Sequence, residues 1–372
     1  MGTRSIYEHE SPITIAYRRC IHEIALALTN DTSMINDDIN AIFELEQRIA
    51  KNHWTMAEQR TRIDESIHTT LGNLSRTLNV NSMEIIMNIR NAFVDMVQQS
   101  SWMDPISKSK AIEKAYAMID EIGYPDYLGN DNLTRLETDY AEYNFNSSLM
   151  SNELIILRLK MKKNVQILRE PVDRRKWVVA PTNIDATYTP EYNRISIGTI
   201  IGHEITHGFD DFGRKYDKDG NRILWWTNET IKKFNERKQC IINQYDQYRV
   251  TLAETELKIN GSQTQGENIA DISGLKEAFF AYQNWVRLTG TEEKKLPGLQ
   301  KYSPEQLFFI NFGSMWCSKI TDELTLVYIL QDVHSLAQFR VHGSTSNFAE
   351  FDRVFNCKLG QGNSRVNKCS IW

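Results

Sequence analysis

The 372-residue sequence predicts an α+β fold, mostly helical, with a small sheet beside the helix that carries His203 and His207. Three observations carry that prediction. Apolar residues recur at helical spacing through most of the first two thirds of the chain. Short β-favouring runs, separated by Pro and Asn, lie between residues 177 and 197. Directly after them, Ile200-Ile201-Gly202-His203-Glu204-Ile205-Thr206-His207 sets two imidazoles four residues apart, one helical turn. Apolar content of 41% and charged content of 24% are ordinary for a globular chain long enough to bury one large core or two smaller ones.

The elements follow in order. Asn36-Asp37-Asp38 precedes Ile39, Ile42, Phe43 and Ile49, the pattern of a capped amphipathic helix. Leu71-Gly72-Asn73-Leu74-Ser75 interrupts the periodicity, so a loose boundary is expected near residues 75–80. Met83 to Val97 is helical through Ile86, Ile89, Phe93 and Val97. Asp104-Pro105 opens the next helix, with Asp as N-cap and Pro at the first position. It should run to about Met118 and stop before Gly123-Tyr124-Pro125. A long helix is expected from about Asn152 to Leu168. Trp177-Val178-Val179-Ala180, Ala186-Thr187-Tyr188 and Arg194-Ile195-Ser196-Ile197 are the strand candidates. Asp217-Lys218-Asp219-Gly220-Asn221 looks faintly like a calcium loop, but its Gly falls one place early and no Glu closes it, so a plain turn is expected. Thr230 to Tyr248 and Gly274 to Arg287 are helical again. Ser303-Pro304-Glu305-Gln306 is a capping box opening an apolar helix through Leu307, Phe308, Ile310, Phe312 and Trp316, whose aromatic stripe reads as core.

Charge excludes some functions. A net charge of −5 gives no broad electropositive field for nucleic acid or anionic lipid. No run of 18 apolar residues exists to span a membrane. The start, Met1 to Glu8, lacks the apolar centre of a signal peptide and carries Ile6 where myristoylation needs Ser or Thr, so any targeting signal is absent or belongs to a longer precursor. The five cysteines, Cys20, Cys240, Cys317, Cys357 and Cys369, cannot all pair within one chain. On count alone they are also compatible with reduced thiols in a cytosolic protein. Six N-x-S/T sequons, beginning at Asn30, Asn73, Asn132, Asn146, Asn228 and Asn260, lean toward secretion.

The chemistry is concentrated downstream. On a helix, His203 and His207 share a face and can share one metal ion, with Glu204 beside it to take a proton from water. An accidental pair of exposed histidines is the competing reading. A catalytic zinc site needs a third protein ligand. Glu267 and Asp271 lie four apart in Gly266-Glu267-Asn268-Ile269-Ala270-Asp271, so one can ligate while the other orients an imidazole from behind. Alone, that segment reads equally as a solvated acidic helix start.

With these motifs, the sequence resembles the neprilysin and endothelin-converting-enzyme family of zinc metallopeptidases. His-Glu-Ile-Thr-His-Gly-Phe-Asp-Asp at 203–211, Gly-Glu-Asn-Ile-Ala-Asp at 266–271, Asp332-Val333-His334-Ser335 with Arg340, and the ending Lys368-Cys369-Ser370-Ile371-Trp372 carry the resemblance. It covers about Met83 to Trp372, with a fainter match at Asp38 to Lys51. It implies a thermolysin-like catalytic domain over 79–372 and a partial N-terminal helical segment over 1–78. It implies one zinc ion per chain on His203, His207 and Glu267, with Asp271 behind a ligand. Glu204 would be the general base, His334 would stabilise the oxyanion, and Arg340 would hold a substrate carbonyl. Ile200, Met315 and Trp316 match walls of a pocket for an apolar side chain. The implied activity is hydrolysis of oligopeptides on the amino side of apolar residues, in an extracellular or cell-surface setting. Cys240 would pair with Cys369, whereas Cys317 and Cys357 match cysteines whose partners lie in an N-terminal part this chain lacks; Cys20 fits no single place.

Two departures stand against the match. Where the family places Asn-Ala on a substrate-binding edge strand, this chain has Asp185-Ala186; Asp keeps the acceptor oxygens and loses the amide donor. The connection from Asp185 to His203 is shorter than in the family, and most of a helical lobe over the active site is missing. The chain therefore resembles a shortened member. Its alternative to an active endopeptidase is an impaired or silent homologue that binds zinc without turnover.

Overall fold

A computed structural model of the chain describes residues 82–122, 137–138, 140–175, 177, 186–196, 200–252, 255–290 and 298–372, with scattered positions between 14 and 47. Two compact units divide it. One comprises residues 1–70 with 293–304, and the other comprises 71–292 with 305–372. In the first, Asp37, Asn40, Ala41, Phe43, Glu44 and Gln47 are helical, and Phe43 is buried with the Arg18 guanidinium 5.0 Å above its ring. Ile39, Ile42 and Ile49 of that expected helix lie outside the described residues.

The second unit carries helices α1 (Ser82–Gln99) and α2 (Pro105–Tyr116), strand β1 (Ile119–Glu121), α3 (Leu149–Ile167), strands β2 (Thr187–Thr189) and β3 (Arg194–Ser196), and the short helix α4 (Ile201–His207). There follow α5 (Asn228–Tyr245), the hairpin β4 (Arg249–Leu252) and β5 (Thr255–Lys258), then α6 (Gln265–Thr289). Helix α7 (Pro304–Met315) starts at the last residue of the other unit, and α8 (Asp322–Gln331), α9 (Ala337–Ser346) and α10 (Ala349–Phe355) complete the order. The mostly helical α+β prediction therefore holds.

Helix α2 begins where the Asp-Pro signal placed it. The Asp104 carboxylate accepts from the Ile106 and Ser107 amides, as an N-cap should. The same carboxylate accepts the Thr227 and Thr230 hydroxyls, and Thr227 is itself the N-cap of α5. One acidic side chain thus ties two helix starts together. Against the upward push of burial, these hydrogen bonds hold the Asp104 carboxyl well below its ordinary range.

The three-stranded sheet runs β1-β3-β2, parallel between β1 and β3 and antiparallel between β3 and β2. Tyr188 faces Ile195 across β2 and β3, so two of the expected strands pair as neighbours. Val178 to Ala180, in the third expected strand, lie outside the described residues, and β1 takes the third place. The predicted helix to Met118 ends at Tyr116 because the chain turns directly into β1. The Asp217–Asn221 segment is a turn, as expected. Asp217 Oδ1 accepts from the Asp219 and Asn221 amides, and Gly220 adopts φ +80° where a Cβ would meet Glu191 O at 1.9 Å.

The core sits between α1, α4, α5 and α6. Phe93, Trp102, Phe209, Trp226, Phe234 and Trp372 fill its centre with tilted and edge-to-face rings. Helix α6 is buried along ten consecutive residues, Asn268 to Glu277, so it is wrapped on every side. A second cluster, Leu275, Phe279, Phe309 and Phe348, has Phe308 and Phe312 of the α7 stripe half-buried against it, whereas Ile310 is exposed and the fully buried ring of α7 is Phe309, which the expected stripe did not include. Cys240 and Cys369 form a disulfide with Cα atoms 5.6 Å apart, joining α5 to the last residues.

Candidate metal centre

Helix α4 has little reason to form alone. It is seven residues long and holds Ile201, Ile205 and Thr206, whose β-branched side chains favour other conformations. Burial against α6 supplies what propensity does not. The two axes approach so closely at Gly202 and Gly274 that a Cβ on Gly202 would lie 2.8 Å from Gly274 O, and one on Gly274 would lie 2.5 Å from His203 N. Side-chain-free positions on both helices are the condition for this crossing.

That crossing brings His203, His207 and Glu267 together. The two Nε2 atoms are 3.0 Å apart, with the rings perpendicular at 89°. Glu267 Oε2 lies 3.1 Å from His203 Nε2, and Oε1 lies 3.5 Å from His207 Nε2. Behind the rings, His203 Nδ1 is 2.9 Å from Asp271 Oδ1 and His207 Nδ1 is 2.7 Å from Asp210 Oδ2. A carboxylate at each Nδ1 fixes a proton there and leaves the Nε2 lone pairs inward. Two lone pairs and a carboxylate then converge with no donor between them, and such a set fits a cation. One atom from each of the three residues lies within 4.8 Å of the others, suitable for a single metal ion, and two imidazoles with one carboxylate are a donor set for zinc.

The electrostatics agree with that arrangement. Burial alone would depress both imidazoles, but Asp271 and Glu267 push His203 up, and Asp210 and Glu267 push His207 well up. Burial would raise Glu267, yet the imidazoles of His203, His207 and His334 that face its oxygens hold it far below the ordinary carboxylate range. Glu204 is buried on α4, and burial pushes its carboxyl up against the pull of His203 and His207.

The remaining predicted residues fall around this centre. His334 Nε2 is 3.2 Å from Glu267 Oε2, while its Nδ1 and amide both meet Asp332 Oδ1 at 2.7 and 2.8 Å. Arg340 is buried and forks onto Asp271, Nε to Oδ2 at 2.6 Å and Nη2 to Oδ1 at 2.7 Å. Its guanidinium lies 3.8 Å above the Trp316 ring, so Trp316 covers Arg340. Met315 is exposed, Ile200 precedes α4 half-buried, and Ala186 directly precedes β2; Asp185 lies outside the described residues.

Asp210 lies inside the 203–211 motif but was given no role by sequence; it sits in the turn after α4, three residues past His207, where its carboxylate reaches the ring. Glu277 was also missed. Thr206 Oγ1 lies 2.9 Å from Gly202 O and 2.7 Å from Glu277 Oε1. One hydroxyl proton makes one full hydrogen bond, so the second proton comes from a neutral Glu277, whose carboxyl burial pushes well up. A carboxyl raised by folding contributes stability that is complete below its unfolded value and lost as pH rises. Glu277→Gln keeps a donor for Thr206 and removes the ionisation. Thermal unfolding should find this variant gaining on the parent as pH rises from 5 to 9; parallel stability curves would refute a neutral Glu277.

Two models of peptidase family M13 match the chain, one over residues 178–371 and an N-terminal one over 79–125. Neprilysin-11 of Caenorhabditis elegans is 39% identical over 78% of this chain and 37% of its own length. Human neprilysin is 37% identical over 78% of this chain and 41% of its own. The chain thus spans about two fifths of the length of the relatives it matches. Among solved structures, the Mycobacterium tuberculosis zinc metalloprotease ZMP1 in complex with an inhibitor superposes with a TM-score of 0.63 at 24% identity, covering 90% of this chain and 49% of that one. PEPO from Lactobacillus rhamnosis gives 0.61 at 23%, covering 91% and 50%; both likenesses concern the fold. With an M13 model running from the strands through the metal cluster to Ile371, the chain belongs to peptidase family M13.

Proposed function

We propose that the chain is a zinc-dependent endopeptidase that hydrolyses oligopeptides on the amino side of apolar residues. The convergence of His203, His207 and Glu267 beside the buried Glu204 carries this reading. Those three residues would hold the ion, with Asp271 and Asp210 fixing the two rings. Zinc at this place supplies Lewis-acid polarisation of the scissile carbonyl and acidifies water.

The chain's own groups do the rest. Glu204, whose carboxyl burial pushes up, takes the proton of the attacking water and passes it to the departing amine nitrogen. His334, steered by Asp332, presents a ring N–H to the oxygen on which negative charge develops. Arg340 is locked by its fork to Asp271 and keeps Nη1 for a backbone carbonyl of the substrate. Strand β2, at one end of the sheet among the described strands, offers its backbone to an extended peptide after Ala186, which Asp185 precedes in the sequence. Ile200, Met315 and the rim of Trp316 supply apolar surface for the side chain after the scissile bond.

The decisive experiment measures metal content and cleavage on one sample. Purified protein should hold about one zinc per chain and cut a quenched-fluorescent peptide library, with activity abolished by chelation and restored by zinc. Zinc without cleavage would favour the silent homologue, and absence of both would remove the metal reading.

A further inference from the structure

Lys114, in the last turn of α2, is fully buried and is hydrogen-bonded to backbone rather than to a carboxylate. Its Nζ donates to Gly208 O at 2.6 Å, Gly213 O at 2.8 Å and Tyr216 O at 2.6 Å. The rings of Phe209, Trp225 and Tyr188 lie 5.2, 5.4 and 5.8 Å from the same nitrogen. An ammonium has three N–H groups and here meets three acceptors, so every donor is used. Burial pushes this lysine down to about 7, while Asp210 and Asp217 push it back up.

All three acceptors belong to the loop leaving α4. Gly208 is the C-cap of α4, directly after His207. Gly213 and Phe212 donate their amides to Asp210 Oδ1, and Asp210 Oδ2 meets His207 Nδ1. Lys114 therefore grips both ends of the turn in which Asp210 is held. The same lysine reaches the sheet: its carbonyl accepts from Asn193 Nδ2, and Asn193 Oδ1 accepts the Tyr188 hydroxyl of β2.

We propose that Lys114 is a positioning residue for the metal centre, clamping the 208–216 turn so that Asp210 keeps the His207 ring in its ligating orientation. The proposal rests on the reading of His207 as a zinc ligand. No other described side chain donates to the Gly208, Gly213 or Tyr216 carbonyls in place of Lys114, so its loss frees the turn that sets the His207 tautomer and aim.

The test is zinc affinity by competition with a chromophoric chelator, at a temperature where circular dichroism shows each variant folded. Lys114→Met should weaken zinc binding about 10- to 100-fold, the range for losing the support of a ligating imidazole. Lys114→Gln, which keeps two donors on a shorter stem, should fall between and covers the case in which the Met variant does not fold. Asp104→Ala loosens the other end of the same helix, about 15 Å away, and should lower the melting temperature while leaving zinc affinity at the parental value. In Asp210→Ala, a further Lys114→Gln change should have little added effect, because both act through one ring. Folded Lys114 variants with parental zinc affinity, or fully additive losses with Asp210→Ala, would overturn the proposal. A parent chain that takes up no zinc would overturn the zinc reading and this proposal with it.

Discussion

Glu204→Gln should lower kcat/KM for peptide cleavage by about a thousandfold while the protein still holds its zinc, within the range for loss of a general base. The amide has nearly the shape of the carboxyl, so the buried site should not collapse. It cannot take the proton of the attacking water, and it has none to pass to the amine. The imidazoles and Glu267 are untouched, and Asp271 and Asp210 still fix the two rings. Metal analysis and peptide hydrolysis on the same preparation check both halves of the expectation. A variant with parental turnover would remove Glu204 from the mechanism, and one without zinc would make it part of the metal support.

Gly274→Ala should be a severely damaging single-methyl change, because it strikes the crossing that builds the metal site. The added carbon would lie 2.5 Å from His203 N and 2.8 Å from Gly202 C, and both are backbone atoms that no rotamer change can move. Helices α4 and α6 must separate, at a cost of about 3 kcal/mol, the upper part of the usual overpacking range. The consequence reaches the chemistry, because α4 carries the two histidines and α6 carries Glu267 and Asp271. Zinc affinity should fall at least tenfold along with the melting temperature. Gly313→Ala in α7 supplies the contrast. Its nearest foreign atom would be Val341 Cγ1 at 4.0 Å, so the helix should gain up to about 1 kcal/mol from the better helix former. Equal stability of Gly274→Ala and the parent would show that the crossing tolerates a side chain.

Sequence periodicity located α1, α2, α3, α5 and α7 because each has a distinct start signal or a one-sided apolar stripe. In α6 the apolar periodicity showed only from Gly274, and the true start at Gln265 was marked by the motif at 266–271 rather than by any stripe. Residues 265–273 contain Glu267, Asn268, Asp271 and Ser273, which are buried or half-buried for chemistry and packing rather than arranged on a wet face. A helix enclosed on all sides leaves no stripe to read. Strand β1, with three residues, and the β4–β5 hairpin are too short for alternation to stand out. Helices α8, α9 and α10 were not anticipated either, although Thr321 caps α8 through the Leu324 amide.

The site was more legible than the fold around it. Spacing alone put His203 and His207 on one face, and the structure sets Glu267 and Asp271 against them. The groups that sequence missed act through backbone carbonyls or a shared proton. Lys114 reads as one more charge on α2, and only the loop that folds over it makes it a clamp. Glu277 reads as a surface acid until Thr206 is found against it.

Trp372 has a consequence for how the molecule is made. Its ring meets Phe93 of α1, Trp102, Phe209 beside the metal helix and Trp226, and the neighbouring Ile371 O accepts from Trp102 Nε1 across 269 residues. During translation these earlier residues leave the ribosome long before 369–372 exist, and their aromatic box stays open on one side. Phe209 lacks one wall of its packing until Trp372 arrives, and the Cys240–Cys369 bond cannot close before residue 369 exists. The helix that holds the two histidines is thus among the last parts to settle, and a nascent chain stalled before residue 369 should take up zinc poorly.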